Sequence, residues 1–196
     1  MSTIHTLYKI GAVRFGQFTL KSGQHSLFYL DLRRIISYPE LMQKIANQLW
    51  EHARHCQFDL LCGVPYTALP LATALSLTHH VPMVMRRKEQ KEYGTKQKIE
   101  GVYQPGQRCL IIEDVITSGS SILETANDLT NAGLVIKDVL VFVDREQGGK
   151  ANLAQHHYQI QSVYTLSEIL TSLFQSNILA HDESAIVEKL LAEKAG

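Results

Sequence analysis

The chain has 196 residues, enough for one domain with a sizeable core. Lys plus Arg and Asp plus Glu both number 19, and hydrophobic residues make up 45%. That balance excludes a protein whose whole surface is built for nucleic acid or membrane, so any basic site must be local.

Residues 1–10 are polar and mixed, with no basic region ahead of an apolar stretch, so no secretory signal is expected. No run approaches the roughly 18 apolar residues that span a bilayer. Residues 15–36 have mixed, strand-like patterning. Pro39 then opens a helix at a favoured first-turn position, with Leu41, Ile45 and Leu49 as its apolar stripe. Apolar runs of strand length follow at 58–62, 83–85, 109–112 and 139–143. Between them lie a helix over about 66–79 and another after Gly119, where Ile122, Ala126 and Leu129 share a face and Gly133 can end it. The polar stretch 86–106 has no apolar period, and a connection that long inside a domain is disordered or functional. In the tail, Asp182 is the expected cap of a last helix carrying Ile186, Val187, Leu190 and Leu191. The alternation predicts an α/β fold: an open, mainly parallel sheet flanked by helices, with right-handed crossovers. Ligands in such folds sit at the carboxyl ends of the strands.

Three cysteines, Cys56, Cys62 and Cys109, have neither metal nor redox spacing and read as reduced thiols of a cytoplasmic protein. The nine histidines give no metal pattern either, and the pairs His79-His80 and His156-His157 read as surface residues.

The chemistry concentrates in Glu113-Asp114-Val115-Ile116-Thr117-Ser118-Gly119-Ser120-Ser121. The apolar run before it reads as a buried strand, and the two carboxylates are expected to emerge at its end. Adjacent carboxylates can accept hydrogen bonds from vicinal hydroxyls or hold the water shell of Mg2+. The small, hydroxyl-bearing residues after them lead into a helix start, where unpaired N–H groups favour an anion. Gly119 allows the backbone to approach a phosphate. The loop is neither a Walker A loop, which needs Gly-Lys-Ser/Thr, nor a dinucleotide fingerprint, which needs more glycines. By itself the stretch points to a phosphorylated-sugar ligand.

These residues resemble the phosphoribosyl-diphosphate (PRPP) signature of type I phosphoribosyltransferases, and other segments are similar to the orotate phosphoribosyltransferase family. Phe18-Thr19-Leu20-Lys21-Ser22-Gly23 resembles its orotate-side element, and Cys62-Gly63-Val64-Pro65-Tyr66-Thr67-Ala68-Leu69-Pro70 its pyrophosphate loop. Arg86-Arg87-Lys88-Glu89-Gln90-Lys91-Glu92-Tyr93-Gly94 resembles its mobile catalytic loop, and Asp144-Arg145-Glu146-Gln147-Gly148-Gly149 its base-contacting turn. The motifs are similar to those of the transferase module of UMP synthases. With the chain ending at Gly196, no decarboxylase domain is expected.

The resemblance implies one domain over 1–196, a Rossmann-like core at about 37–165, and a small hood from about 1–36 and the C-terminal part. It implies Mg2+-dependent joining of orotate to PRPP in pyrimidine biosynthesis, by a cytoplasmic homodimer that shares its active sites. Catalysis falls to Lys91, Asp114 and Glu113. PRPP falls to Lys21, Tyr66, Thr67, Arg87, Lys88, Lys91, Tyr93 and residues 113–121. Orotate falls to Lys21, Tyr29, Leu30, Thr117 and Arg145. No protein side chain is expected to ligate the metal directly, which substrate and water would hold near Asp114. Many bacterial members carry histidine in place of Tyr93 and lysine in place of Thr67. Two further readings stay open on the residues: a phosphoribosyltransferase for uracil or a purine, and a PRPP-sensing regulator without catalysis. Lys21 and Arg145, suited to a carboxylate-bearing base, weigh against the first. The cationic run weighs against the second.

Overall fold

In the computed structural model, residues 2–19, 25–88 and 98–195 are described. In chain order, α1 (Thr3–Lys9), β1 (Val13–Thr19) and β2 (His25–Leu30) precede a 3-10 turn at Leu32–Ser37 and α2 (Pro39–Ala53). Then come β3 (Leu60–Gly63), α3 (Ala68–His79), β4 (Met83–Arg86), β5 (Ile99–Glu100) and β6 (Cys109–Ile116). The rest is α4 (Ser120–Asn131), β7 (Asp138–Asp144), α5 (Gly149–Gln155), β8 (Gln159–Thr165), α6 (Leu166–Gln175) and α7 (His181–Ala195). The chain folds as two units, one of residues 1–41 with 164–196 and the other of residues 42–163.

The larger unit is built on a six-stranded sheet in the order β5-β4-β3-β6-β7-β8. β4, β3, β6 and β7 are mutually parallel, and β5 is antiparallel at one edge. This is the open, mainly parallel α/β sheet that the alternation predicted. All seven residues of β7 are buried, as expected of a strand covered on both faces. Leu60, Cys62, Ile111, Val139 and Val141 pack with Ile122, Ala126 and Leu129 of α4 into one core. Removing each of the Leu, Ile and Val side chains among them from water contributes roughly 1.5–3 kcal/mol. Gly133, at φ +90, follows α4 as its expected terminator.

Several boundaries differ from the sequence reading. The strand expected from residue 58 begins at Leu60, where its pairing with Cys109 of β6 starts, and just before it the Asp59 carboxylate is bound by the guanidinium and backbone N–H of Arg108 at 2.8–3.2 Å. The helix expected from about residue 66 begins at Ala68. At the other end of α3, His79 is not a plain surface residue. Its ring stacks on Trp50 with centroids 3.7 Å apart, and burial lowers its pKa.

The smaller unit joins the β1–β2 hairpin to helices α1, α6 and α7. Phe28, Leu166, Leu170 and Val187 are its buried centre. α6 opens with a reciprocal Thr165–Glu168 capping box. α7 begins at His181, so Asp182 lies in the first turn and is not the cap. The capping contact comes from Glu183, whose carboxylate accepts the Ala180 N–H at 3.1 Å and the Tyr8 hydroxyl. Among the described residues no helix is long and apolar enough to cross a membrane.

Candidate active site

The carboxylate pair does not emerge beyond its strand. β6 continues to Ile116, because the ladder to β7 runs on through Glu113–Val141, Val115–Val143 and Ile116–Asp144. Side chains therefore alternate: Glu113 is turned inward and only 6% exposed, while Asp114 is half-buried. Burial, then the hydrogen bond and charge of Asp114, push the Glu113 carboxyl up to about 10. Burial thus disfavours charge on Glu113, and its Oε1 accepts the Asp114 N–H at 3.0 Å. A carboxyl raised on folding favours the folded state below its ordinary value of 4.5 and costs stability progressively as pH rises toward 10. Glu113→Gln keeps the acceptor and removes the titration. Its melting temperature should exceed wild type at pH 8, with the gap closing toward pH 4.5, and thermal unfolding across pH measures it.

After Ile116 the chain turns through Thr117, Ser118 and Gly119 into α4. Gly119 stands at φ +83, a conformation that suits glycine. A cavity of about 40 Å³ opens among Glu113, Val115, Ile116, Thr117, Ser118, Gly119, Ser120, Ser121 and Ile122. It sits at a helix N-terminus, where free N–H groups attract an anion. The Ser118 and Ser120 hydroxyls are 2.9 Å apart at its rim. From below, Asn152 Nδ2 of α5 donates to the Ser118 carbonyl at 2.8 Å, and Gly149 packs directly under Thr117. The sequence reading does not reveal this support. Gly149 enters it only within the base-contacting turn, and Asn152 carries no signal at all.

The base-contacting turn is tied to the same place. Arg145 N–H donates to the Ile116 carbonyl at 3.1 Å, and Glu146 N–H to Asp144 Oδ1 at 2.7 Å. The Arg145 guanidinium is half-buried, and desolvation lowers its pKa. A second cavity, about 510 Å³, is lined by Tyr66, Leu69, Met85, Arg86, Arg87, Lys88 and Glu100. Tyr66 is 62% exposed there, with Lys88 Nζ 5.9 Å from its ring centre. Thr67 precedes α3 and makes no side-chain cap. Arg86, the first residue of the segment that resembles the mobile catalytic loop, instead ends β4, is 8% exposed, and pairs with Asp128 at 2.7 Å.

In the smaller unit, Tyr29 and Leu30 are neighbours on β2, so their side chains take opposite faces. Leu30 packs with Phe28 on the core side. Tyr29 lies on the other face, with the Phe18 ring 5.4 Å away and the Arg14 guanidinium 4.9 Å over it. Lys21, Lys91 and Tyr93 lie outside the described residues.

A family model described as a phosphoribosyl transferase domain matches residues 33–164. An orotate phosphoribosyltransferase of Chlamydia felis is 45% identical over 190 residues, covering 96% of this chain and 92% of that one. The chain belongs to the orotate phosphoribosyltransferases. It is thereby an enzyme of the phosphoribosyl-transferring class. A solved orotate phosphoribosyltransferase from Aeropyrum pernix superposes with a TM-score of 0.76 at 31% identity, covering 88% of this chain and 99% of that one. Bovine uridine 5′-monophosphate synthase is 48% identical over 196 residues and covers 99% of this chain, which spans 41% of that relative's length.

Proposed function

We propose that the chain transfers the 5-phosphoribosyl group of PRPP to orotate, giving orotidine 5′-monophosphate and pyrophosphate in pyrimidine synthesis. One observation carries this reading. The carboxyl ends of four adjacent parallel strands, β4, β3, β6 and β7, lead into the four elements the chemistry needs. β4 ends at Arg86, before Arg87 and Lys88; β3 ends before Tyr66 and Thr67. β6 carries the carboxylates and ends before the phosphate loop, and β7 ends before Arg145.

As N1 of orotate gives up its proton to the departing diphosphate or to solvent and bonds to C1 of the ribose, the bond from C1 to the diphosphate oxygen breaks. Positive charge develops on the sugar and negative charge on the leaving group, so catalysis is chiefly positioned electrostatics. Asp114 supplies the negative charge beside Glu113, and together they suit the ribose hydroxyls. Residues 115–121 take the 5′-phosphate. Arg87 and Lys88, with Tyr66 and Thr67, take the diphosphate, and Lys91 and Tyr93 join them by resemblance. Arg145 offers a planar donor pair to the anionic base. By resemblance Thr117, Lys21, Tyr29 and Leu30 serve the same ligand. Leu30, its side chain committed to the core, would contribute backbone.

Mg2+ belongs to the same proposal. Among the described residues no group of three His, Cys, Asp or Glu could hold a metal. By resemblance the ion would be held by the diphosphate and water, near Asp114. Bound there, it would neutralise charge on the leaving group. A homodimer with shared sites and a cytoplasmic location complete the proposal; free thiols at Cys56, Cys62 and Cys109 fit a reducing compartment. The test is turnover of PRPP and Mg2+ with orotate beside uracil, adenine and hypoxanthine. Orotate should be consumed with pyrophosphate released. Turnover of uracil without orotate would overturn the reading.

A further inference from the structure

We propose that Asp128 is a positioning residue that orients Arg87 toward the departing diphosphate, an inference that rests on the reaction assigned above. Asp128 lies on α4, the helix that starts at the phosphate loop, and is 7% exposed. Both its oxygens are engaged. Arg86 Nε donates to Oδ2 at 2.7 Å and Lys98 Nζ to Oδ1 at 2.8 Å. A second nitrogen of the Arg86 guanidinium lies 3.5 Å from Glu124, one turn earlier on the same helix.

Arg86 and Lys98 both hold the backbone of Arg87. Arg86 precedes it in the chain, and the Lys98 carbonyl accepts the Arg87 N–H at 2.8 Å. One carboxylate thus anchors the covalent neighbour and the hydrogen-bonded neighbour of the same arginine. Arg87 follows directly on the end of β4 and lines the 510 Å³ cavity with Tyr66 and Lys88, while Arg86, at the same cavity's wall, is held against α4 by Asp128.

The two layers of charge differ in kind. The Arg87–Glu100 pair, at 2.8 Å, has side chains 36% and 42% exposed, so it is worth little in water and Arg87 can exchange Glu100 for a diphosphate. The Arg86–Asp128 pair is buried on both sides, at 8% and 7%, and is poorly screened by salt. The buried pair holds while the exposed one is spent on substrate. Asp128 also connects the two anion sites: its helix begins in the loop for the 5′-phosphate, and its cations flank the residue for the diphosphate.

The test uses Lys98→Met and Asp128→Asn beside wild type. KM for PRPP should rise roughly ten- to hundredfold, the usual effect of misplacing a positioned group. KM for orotate should stay within about twofold, since no orotate contact changes. Lys98→Arg, which keeps charge and reach, should restore KM for PRPP. Lys98→Met leaves the buried Arg86–Asp128 pair in place, so it decides the matter even where Asp128→Asn fails to fold. A lower melting temperature with unchanged KM for PRPP would overturn the proposal and leave Asp128 a purely structural ion pair. Affinity for inorganic pyrophosphate with Mg2+, measured by calorimetry on the same proteins, should weaken in step. That readout separates the two claims: absence of orotate turnover by wild type counts against the reaction, while equal pyrophosphate affinity in all variants counts against the positioning role.

Discussion

Replacing Gly149 by alanine should cost both stability and phosphate binding. A Cβ at that position would lie 2.4 Å from the Thr117 carbonyl oxygen and 2.6 Å from Ile116 Cγ1. The first of these is backbone, and it belongs to the loop assigned to the 5′-phosphate, so relief requires the loop itself to move. Overpacking of this kind costs about 3 kcal/mol at the upper end of its usual range. In a chain of this size that lowers the melting temperature by roughly 6–12 °C. Any protein that remains folded should show a raised KM for PRPP with little change in KM for orotate. Gly148 is the internal comparison: at φ +87 with open space around it, alanine there meets only backbone strain, about 1–2 kcal/mol. Equal melting temperatures for the two variants would refute the buttress beneath the phosphate loop.

A larger effect on catalysis is expected at Asp114. Burial disfavours charge on Glu113, which leaves Asp114 to carry the negative charge near the end of β6, and Asp114→Asn removes it without changing shape. The loss in kcat/KM should be about 10²–10³, the size seen when one positioned electrostatic partner is removed. The melting temperature should barely move, because Asp114 is half-buried and amide for carboxylate preserves its volume. The same variant tests the shared site. Mixed with Lys91→Ala, itself inactive, it should regain about a quarter of wild-type activity, since random pairing makes half the dimers mixed and each of those holds one intact site. Mixtures as dead as their components would rule out a lysine contributed by the neighbouring subunit.

Much of this was legible in the sequence for a simple reason: buried parallel strands must be apolar. The runs at 109–112 and 139–143 could be little else, and the phosphate loop announced itself by its small residues. What stayed hidden was set by contacts remote along the chain. Two acids ordinarily end a strand, yet β6 carries Glu113 and Asp114 because β7 offers it partners as far as Asp144. Nothing local in the sequence marks Asp128, since Arg86 and Lys98 lie 42 and 30 residues away. α5 has seven residues, too few for a helical period to show, and so the support under Ser118 and Thr117 went unseen. Tyr29 and Leu30 are different. Strand alternation alone could have separated them, because adjacent positions on β2 cannot turn both side chains into one pocket.

The extension of β6 past the carboxylates also bears on when order is established. Glu113 and Ile116 are hydrogen-bonded into the ladder with β7 before any sugar arrives, and Gly63 pairs with Ile112 on the opposite side. The conformational entropy of these residues is surrendered once, on folding, with the whole sheet sharing the loss. In the proposed reaction a phosphorylated ribose therefore meets acceptors already at rest, and little of its binding energy goes into arranging them.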